Sequence, residues 1–217
     1  MGTAVLCRWR ELPRPYRFPG RVFNRLLAFL ALLAGLSGLP AGAAPVVIAV
    51  LGDSLAAGFG LRDEAQAFPA QLEAVLKARG RDVRVINAGV SGDTTAGGRS
   101  RLDWTLADRP DLVIVELGGN DGLRGIDPAV TYAKLDDILT RLKAAGTRVL
   151  LTGMLAPPNL GRDYGEAFNA IFPRLAEKHA VPLYPFFLDG VAAERTLNQP
   201  DGIHPNQAGV AVLVTRI

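Results

Sequence analysis

The fold class this sequence predicts is an α/β domain: a mostly parallel five-stranded sheet with helices on both faces. Three observations predict it. From residue 46 onward, short β-branched apolar runs alternate with amphipathic helical stretches. The runs are continuously apolar rather than alternating, as in strands buried on both faces. The loops after the first three runs are rich in glycine and polar residues. In a parallel sheet all three lie along one edge, where such folds place their sites.

The elements follow in order. Val46–Leu51 is six apolar residues ending at Gly52-Asp53-Ser54, so it reads as a buried strand stopped by a turn. Phe68–Arg79 carries Leu72, Val75 and Leu76 at helical spacing and ends at Gly80. Val83–Ile86 is a second, short strand, followed by a polar loop over 87–98. Arg99–Ala107 reads as a helix. Leu112–Leu117 is the third strand, ending in Gly118-Gly119-Asn120-Asp121. Ala129–Ala145 places Leu135, Ile138, Leu139 and Leu142 on one face and stops at Gly146. Arg148–Thr152 is the fourth strand, Tyr164–His179 a helix, and Pro182–Leu188 holds the fifth strand. A last helix starts near Asn206. No repeat, low-complexity linker or second domain interrupts this pattern.

Residues 1–43 read differently. Six arginines and one glutamate precede a short apolar core, Leu26–Leu39, and the small-residue site Ala41-Gly42-Ala43. That order describes a secretory signal peptide. The core, about 14 residues, falls short of the roughly 20 needed to span a bilayer. A start nearer Arg21 would shorten its long basic region. The domain proper is then 44–217, with export to the periplasm or medium and no stable membrane insertion after cleavage.

The leader also explains the charge. The chain has 24 basic and 21 acidic residues, of which six and one lie in residues 1–43, leaving 18 against 20. The basic excess is therefore removable, and no basic stripe points to nucleic acid. The one cysteine, Cys7, precedes the apolar core, so the domain has no disulfide and no thiol chemistry. About 174 residues can bury a core without such staples.

Ser54 sits at the carboxyl end of a strand, a position equally typical of a helix cap. A nucleophile there needs a base, an orienting acid and an oxyanion hole. Of the two histidines, His179 follows Glu177-Lys178 at a helix end and reads as a surface residue near the helix dipole. His204 lies in Asp201-Gly202-Ile203-His204-Pro205. The Asp-x-x-His spacing can bring a carboxylate to Nδ1 and leave Nε2 for a nucleophile. Oxyanion donors could come from the Ser54 N–H at a helix start, from Gly92 and from the Asn120 side-chain amide. Each block taken singly is equally an ordinary turn. Two histidines this far apart do not suggest a zinc site.

The blocks Gly52-Asp-Ser-Leu55, Ser91-Gly-Asp-Thr94, Gly118-Gly-Asn-Asp121 and Asp201-Gly-Ile-His-Pro205 occur in that order. Together they resemble the GDSL esterases, or SGNH hydrolases. Within these the chain is most similar to the exported bacterial thioesterase I, lysophospholipase and arylesterase group, over roughly residues 46–210. Val115–Gly125, Tyr164–Asn169 and Asp201–Asn206 carry that closer likeness. The resemblance implies a flavodoxin-like three-layer α/β/α sandwich, the SGNH hydrolase fold. It makes Ser54 the nucleophile, His204 the general base and acid, Asp201 its orienting carboxylate, and Ser54, Gly92 and Asn120 the oxyanion hole. Gly52–Ala56 is not the G-x-S-x-G elbow of α/β-hydrolases. Asp53 takes no chemical role and is read as a carboxylate that hydrogen-bonds loop backbone.

The expected reaction is hydrolysis of a small-molecule acyl ester or thioester through an acyl-enzyme, without metal or cofactor, by a monomer. Activity is expected to fall as His204 becomes protonated. Leu123, Ile126 and Pro157, on the loops after the third and fourth strands, are expected to touch a medium to long acyl chain. Other readings are a carbohydrate O-deacetylase of the same family, a flavodoxin-like nucleotide-binding module, and an inactive binding protein on this fold. A nucleotide site lacks its glycine fingerprint here. After Asn206 eleven residues remain, a helix of about 16 Å that is shorter than in the resembling proteins. Its packing behind the histidine loop bears on how His204 is held.

Overall fold

The computed structural model describes residues 44–217, and the leader reading falls outside them. Strand β1 (Val46–Gly52) lies between β2 (Val83–Gly89) and β3 (Leu112–Glu116), followed by β4 (Arg148–Thr152) and β5 (Leu183–Tyr184). The order 2-1-3-4-5 is parallel throughout. It is the flavodoxin-like doubly wound order, with its switch point beside β1. The register brings Gly52 opposite both Gly89 and Glu116, so three loops leave the sheet at one level.

The helices are α1 (Ser54–Ala57), α2 (Phe68–Ala78), α3 (Thr95–Ser100), α4 (Leu102–Ala107), α5 (Gly119–Leu123), α6 (Pro128–Ala144), α7 (Arg162–Asn169), α8 (Ile171–His179) and α9 (Gln207–Arg216). Helix α2 packs against β2 and α9, while α6 packs against α3, α8 and β4. Right-handed crossovers that run both ways from β1 put these two groups on opposite faces. The central strands supply Ala49, Val50, Leu51, Val113 and Val115 to the core without exposure, and α6 buries Leu135, Ile138, Leu139 and Leu142 as its periodicity predicts.

Several boundaries differ from the sequence reading for physical reasons. Strand β2 continues to Gly89, and the following helix begins at Thr95 rather than Arg99. The Thr94 side chain caps it by accepting the Gly97 N–H. The helix predicted over 99–107 is two helices that meet at Arg101. That over 164–179 breaks at Ala170, because Pro173 has no N–H for residue 169 and fits only the first turn of a new helix. Strand β5 is two residues long, since Pro185 cannot donate to the ladder.

His179 is not a surface residue. It is buried on the inner face of α8, where Nε2 lies 2.7 Å from Asp136 Oδ1. Phe172, Leu175, Ala176 and His179 follow one another at helical spacing, so the histidine extends the apolar stripe.

Candidate active site

The turn after β1 is tight. A Cβ on Gly52 would collide with Glu116 Oε2 and lie 2.5 Å from the Ala56 Cβ, so only glycine fits. Asp53 caps α1 through Oδ1, which accepts the Leu55 N–H at 3.0 Å. Ser54 is thereby the first helical residue, with its own N–H unpaired among the described residues.

Ser54 Oγ lies 3.0 Å from His204 Nε2, across 150 residues of chain. His204 Nδ1 lies 2.7 Å from Asp201 Oδ2, and Asp201 Oδ1 accepts the N–H groups of Ile203 and His204. Those backbone bonds, and then the imidazole, hold the Asp201 carboxyl down at about 2. An ionised carboxylate has no proton to give, so Nδ1 carries the hydrogen and Nε2 is left to accept the Ser54 hydroxyl.

Helix α9 does not carry this placement alone. The Gln199 N–H donates to the His204 carbonyl at 2.8 Å, and the Asn206 N–H donates to Leu197 O. Gln199 Nε2 bonds both Phe59 O and Pro205 O. The Phe59 ring rests against the imidazole at 4.6 Å between centroids. Helix α9 adds its own cap, Asn206, and its packing on α2.

Asn120 lies on α5, whose entry needs Gly118 at φ 114°. Its Nδ2 donates to Asp53 Oδ2 at 3.0 Å. The reading of Asp53 as a loop-bonding carboxylate holds for Oδ1, but its second oxygen reaches a predicted oxyanion donor. Gly92, at φ +84° in the turn after β2, has an N–H without a partner among the described residues, and its carbonyl accepts from Arg124 Nη2 at 2.7 Å. Asp121, buried beneath, accepts the N–H and hydroxyl of Thr95 and the hydroxyl of Thr131, tying α5 to the helix after the Gly92 turn.

A cleft of about 190 Å³ opens beside Ser54, Asn120 and His204, with an apolar wall of Leu123, Met154, Leu155, Pro157, Leu188 and Ile203. Leu123 and Pro157 are where the sequence reading expects them. Ile126 is not part of this wall. Its carbonyl accepts the Tyr164 hydroxyl at 2.8 Å, which fixes it toward α7.

Two groups below the site escape the sequence reading. Glu116 is fully buried, with Oε2 accepting the Asp53 N–H and Oε1 without a partner. Burial, and then the Asp53 charge, push its carboxyl well above the usual range. Burial likewise raises Asp53 to about 6. An acid closing the apolar run Leu-Val-Ile-Val-Glu was the available signal. The second group is Arg101, whose guanidinium donates to Gly52 O, Ala88 O and Asp93 Oδ2 at 2.7, 2.5 and 2.6 Å.

The chain is similar to known proteins over most of its length. The sequence model of the GDSL-like lipase/acylhydrolase family matches residues 50–212. The chain is 44% identical to esterase TesA of Pseudomonas aeruginosa over 176 residues, covering 81% of this chain and 87% of that one. It is also 44% identical to thioesterase 1/protease 1/lysophospholipase L1 of Escherichia coli K12 over 187 residues, 86% of each. The crystal structure of AlinE4, an SGNH-hydrolase family esterase, superposes with a TM-score of 0.70 at 49% identity, covering 79% of this chain and 92% of that one.

Proposed function

The chain belongs to the GDSL-like lipase/acylhydrolase family, and from that premise we propose that Ser54, His204 and Asp201 are its catalytic triad. It is an ester hydrolase. The observation that carries the proposal is the line Ser54 Oγ, His204 Nε2, Nδ1 and Asp201 Oδ2, with spacings of 3.0 and 2.7 Å, at the edge of an apolar cleft.

The Ser54 hydroxyl gives its proton to His204 Nε2 and attacks the acyl carbonyl. The oxyanion takes hydrogen bonds from the Ser54 and Gly92 N–H groups and from Asn120 Nδ2, each worth roughly 3 kcal/mol of barrier. The imidazolium formed is stabilised by Asp201, which stays ionised because its pKa is about 2. His204 then protonates the leaving alcohol or thiol, and a water, deprotonated by His204, releases the acid.

The substrates are acyl esters and thioesters of medium to long chain, acted on by a monomer. A cleft of about 190 Å³ is smaller than the ~300 Å³ of typical ligand pockets. It holds the ester and the first carbons, and a longer tail lies over the exposed rim of Leu123, Leu155 and Ile203. The apolar wall favours this over a carbohydrate O-deacetylase. Residues 1–43 are a cleaved leader that exports the domain. Among the described residues no helix is long and apolar enough to cross a membrane.

A fluorophosphonate probe tests the nucleophile. It is expected to label the wild type, to label His204→Ala far more slowly, and to leave Ser54→Ala unlabelled. A fully active Ser54→Ala protein overturns the proposal. In a p-nitrophenyl ester series, a sharp preference for acetate overturns the substrate class. Mass spectrometry of the exported protein is expected to find Ala44 as the first residue.

A further inference from the structure

We propose that Asp53 is a positioning residue: its buried carboxylate fixes the Asn120 side chain so that an N–H, and not the amide oxygen, faces the reacting carbonyl. This deepens the reading of Asn120 as an oxyanion donor and rests on it.

The two ends of an asparagine amide have nearly the same shape, so its hydrogen-bond partners decide which end points where. Asp53 Oδ2 accepts from Asn120 Nδ2 at 3.0 Å. A carboxylate offers no donor, so the Asn120 oxygen cannot take that place. Nδ2 then keeps a second hydrogen beside the Ser54 end of the cleft, which Asn120 and Ser54 both line. Were the amide reversed, its oxygen would face the developing oxyanion and repel it.

Asp53 is itself held on every side. Only 2% of it is exposed; Oδ1 is committed to the Leu55 N–H, and its own N–H donates to Glu116 Oε2. The carboxylate therefore cannot swing away from Asn120. The charges that face it are Glu116 on β3 and Asp121 on α5, both acidic, and His204 from the C-terminal loop. Arg101, between α3 and α4, acts on Glu116. Burial, opposed by the Leu55 and Asn120 hydrogen bonds and the His204 charge, brings Asp53 to about 6, and Glu116 lies well above the usual value. At neutral pH Asp53 carries the charge that holds Asn120, while burial and that charge favour the protonated form of Glu116. Below about pH 6 a protonated Asp53 can donate, and the amide is released to turn.

A double-mutant cycle tests this. The full enzyme is compared with Asp53→Asn, Asn120→Ala and the double variant on a soluble short-chain p-nitrophenyl ester, with a thermal melt of each. The amide introduced by Asp53→Asn would keep the Leu55 cap through its oxygen but present an NH₂ to Asn120, turning that side chain round. Asp53→Asn is expected to lose about 100-fold in kcat, within the range for one oxyanion donor, with KM within about twofold. The double variant is expected within about threefold of Asn120→Ala alone. Losses that multiply, or an Asp53→Asn enzyme within about threefold of wild type, overturn the inference. A fully active Asn120→Ala enzyme instead refutes the oxyanion reading itself, and the inference with it.

The pH profile decides the matter if Asp53→Asn does not fold. The acid limb of kcat is expected to carry a protonation near pH 6 from Asp53 in wild type. In Asn120→Ala that step is expected to be lost. The same step in both enzymes overturns the inference.

Discussion

Replacing Arg101 with Met should cost stability and rate together, because one guanidinium joins three segments around the site. It donates to the carbonyls ending β1 and β2 and to Asp93, which follows Gly92. Its side chain is 15% exposed and that of Asp93 19%, so the interaction is only partly screened. A hydrogen bond to a charged group is worth about 1.5–3 kcal/mol. Three would set an upper bound of roughly 5–9 kcal/mol. Two discounts apply: Gly52 O keeps the Val90 N–H at 3.1 Å, and water reaches Asp93. About 3 kcal/mol remains, a fall in Tm of roughly 6–12 °C for a domain this size. Arg101→Lys keeps the charge but cannot serve three diverging acceptors, so it should fall between. Arg99→Met is the control, since its pair with Asp137 is 44% and 37% exposed and should be worth about 1 kcal/mol or less. Thermal melts and kcat at about 25 °C are the assays. An Arg101→Met melt within about 2 °C of wild type, or a lysine variant equal to wild type, would refute the clamp.

Other outcomes follow from the same contacts. Glu116 has a folded pKa raised above its usual 4.5, so relative to a neutral side chain its contribution is fullest at low pH and lost as pH rises toward the folded value. The stability difference between Glu116→Gln and wild type, read from urea melts between about pH 4 and 9, should therefore shift steadily in favour of the glutamine. His179→Ala removes a part-buried bond to Asp136 and a buried ring from the inner face of α8, and should cost about 2 kcal/mol with kcat unchanged well below Tm. Leu123, 52% exposed on the rim, can add about 1 kcal/mol by covering an acyl tail. Leu123→Ser should lower kcat/KM for long-chain p-nitrophenyl esters roughly fivefold and leave acetate unaffected.

What the sequence made legible was local. Asp201-x-x-His204 and the Gly52 turn offered candidates within a few residues, and the resemblance of the four ordered blocks to the GDSL esterases named Ser54 and His204 before their 3.0 Å contact was seen. The strand runs revealed the sheet because parallel strands are buried on both faces. What stayed hidden was the long-range pairing of polar groups. Asp53 reaches Asn120 across 67 residues and Glu116 across 63, and neither pairing has a periodic signature. Boundaries differ where proline cuts a ladder or restarts a helix, at Pro185 and Pro173. His179 is the sharper lesson. Its neighbours Glu177 and Lys178 suggested a solvated helix end, yet the stripe through Phe172, Leu175 and Ala176 already pointed inward.

The register explains why the support beneath the site is acidic. Because Gly52 stands opposite Glu116 and has no side chain, the Glu116 carboxylate fills the space under the turn and takes the Asp53 N–H. An apolar residue there would leave that N–H without an acceptor in a buried turn, at a cost of about 1–3 kcal/mol. Burial, and then the nearby Asp121 charge, oppose ionisation of Asp53, the group that the proposal needs charged to orient Asn120. The backbone bond from Leu55, the amide of Asn120 and the positive field of His204 offset that opposition. In the proposed mechanism His204 gains charge as it takes the Ser54 proton, which favours ionised Asp53 at the moment the oxyanion forms. Proton transfer and the aim of the oxyanion donor are then coupled through one carboxylate, and that coupling is a physical reason for an aspartate directly before the serine.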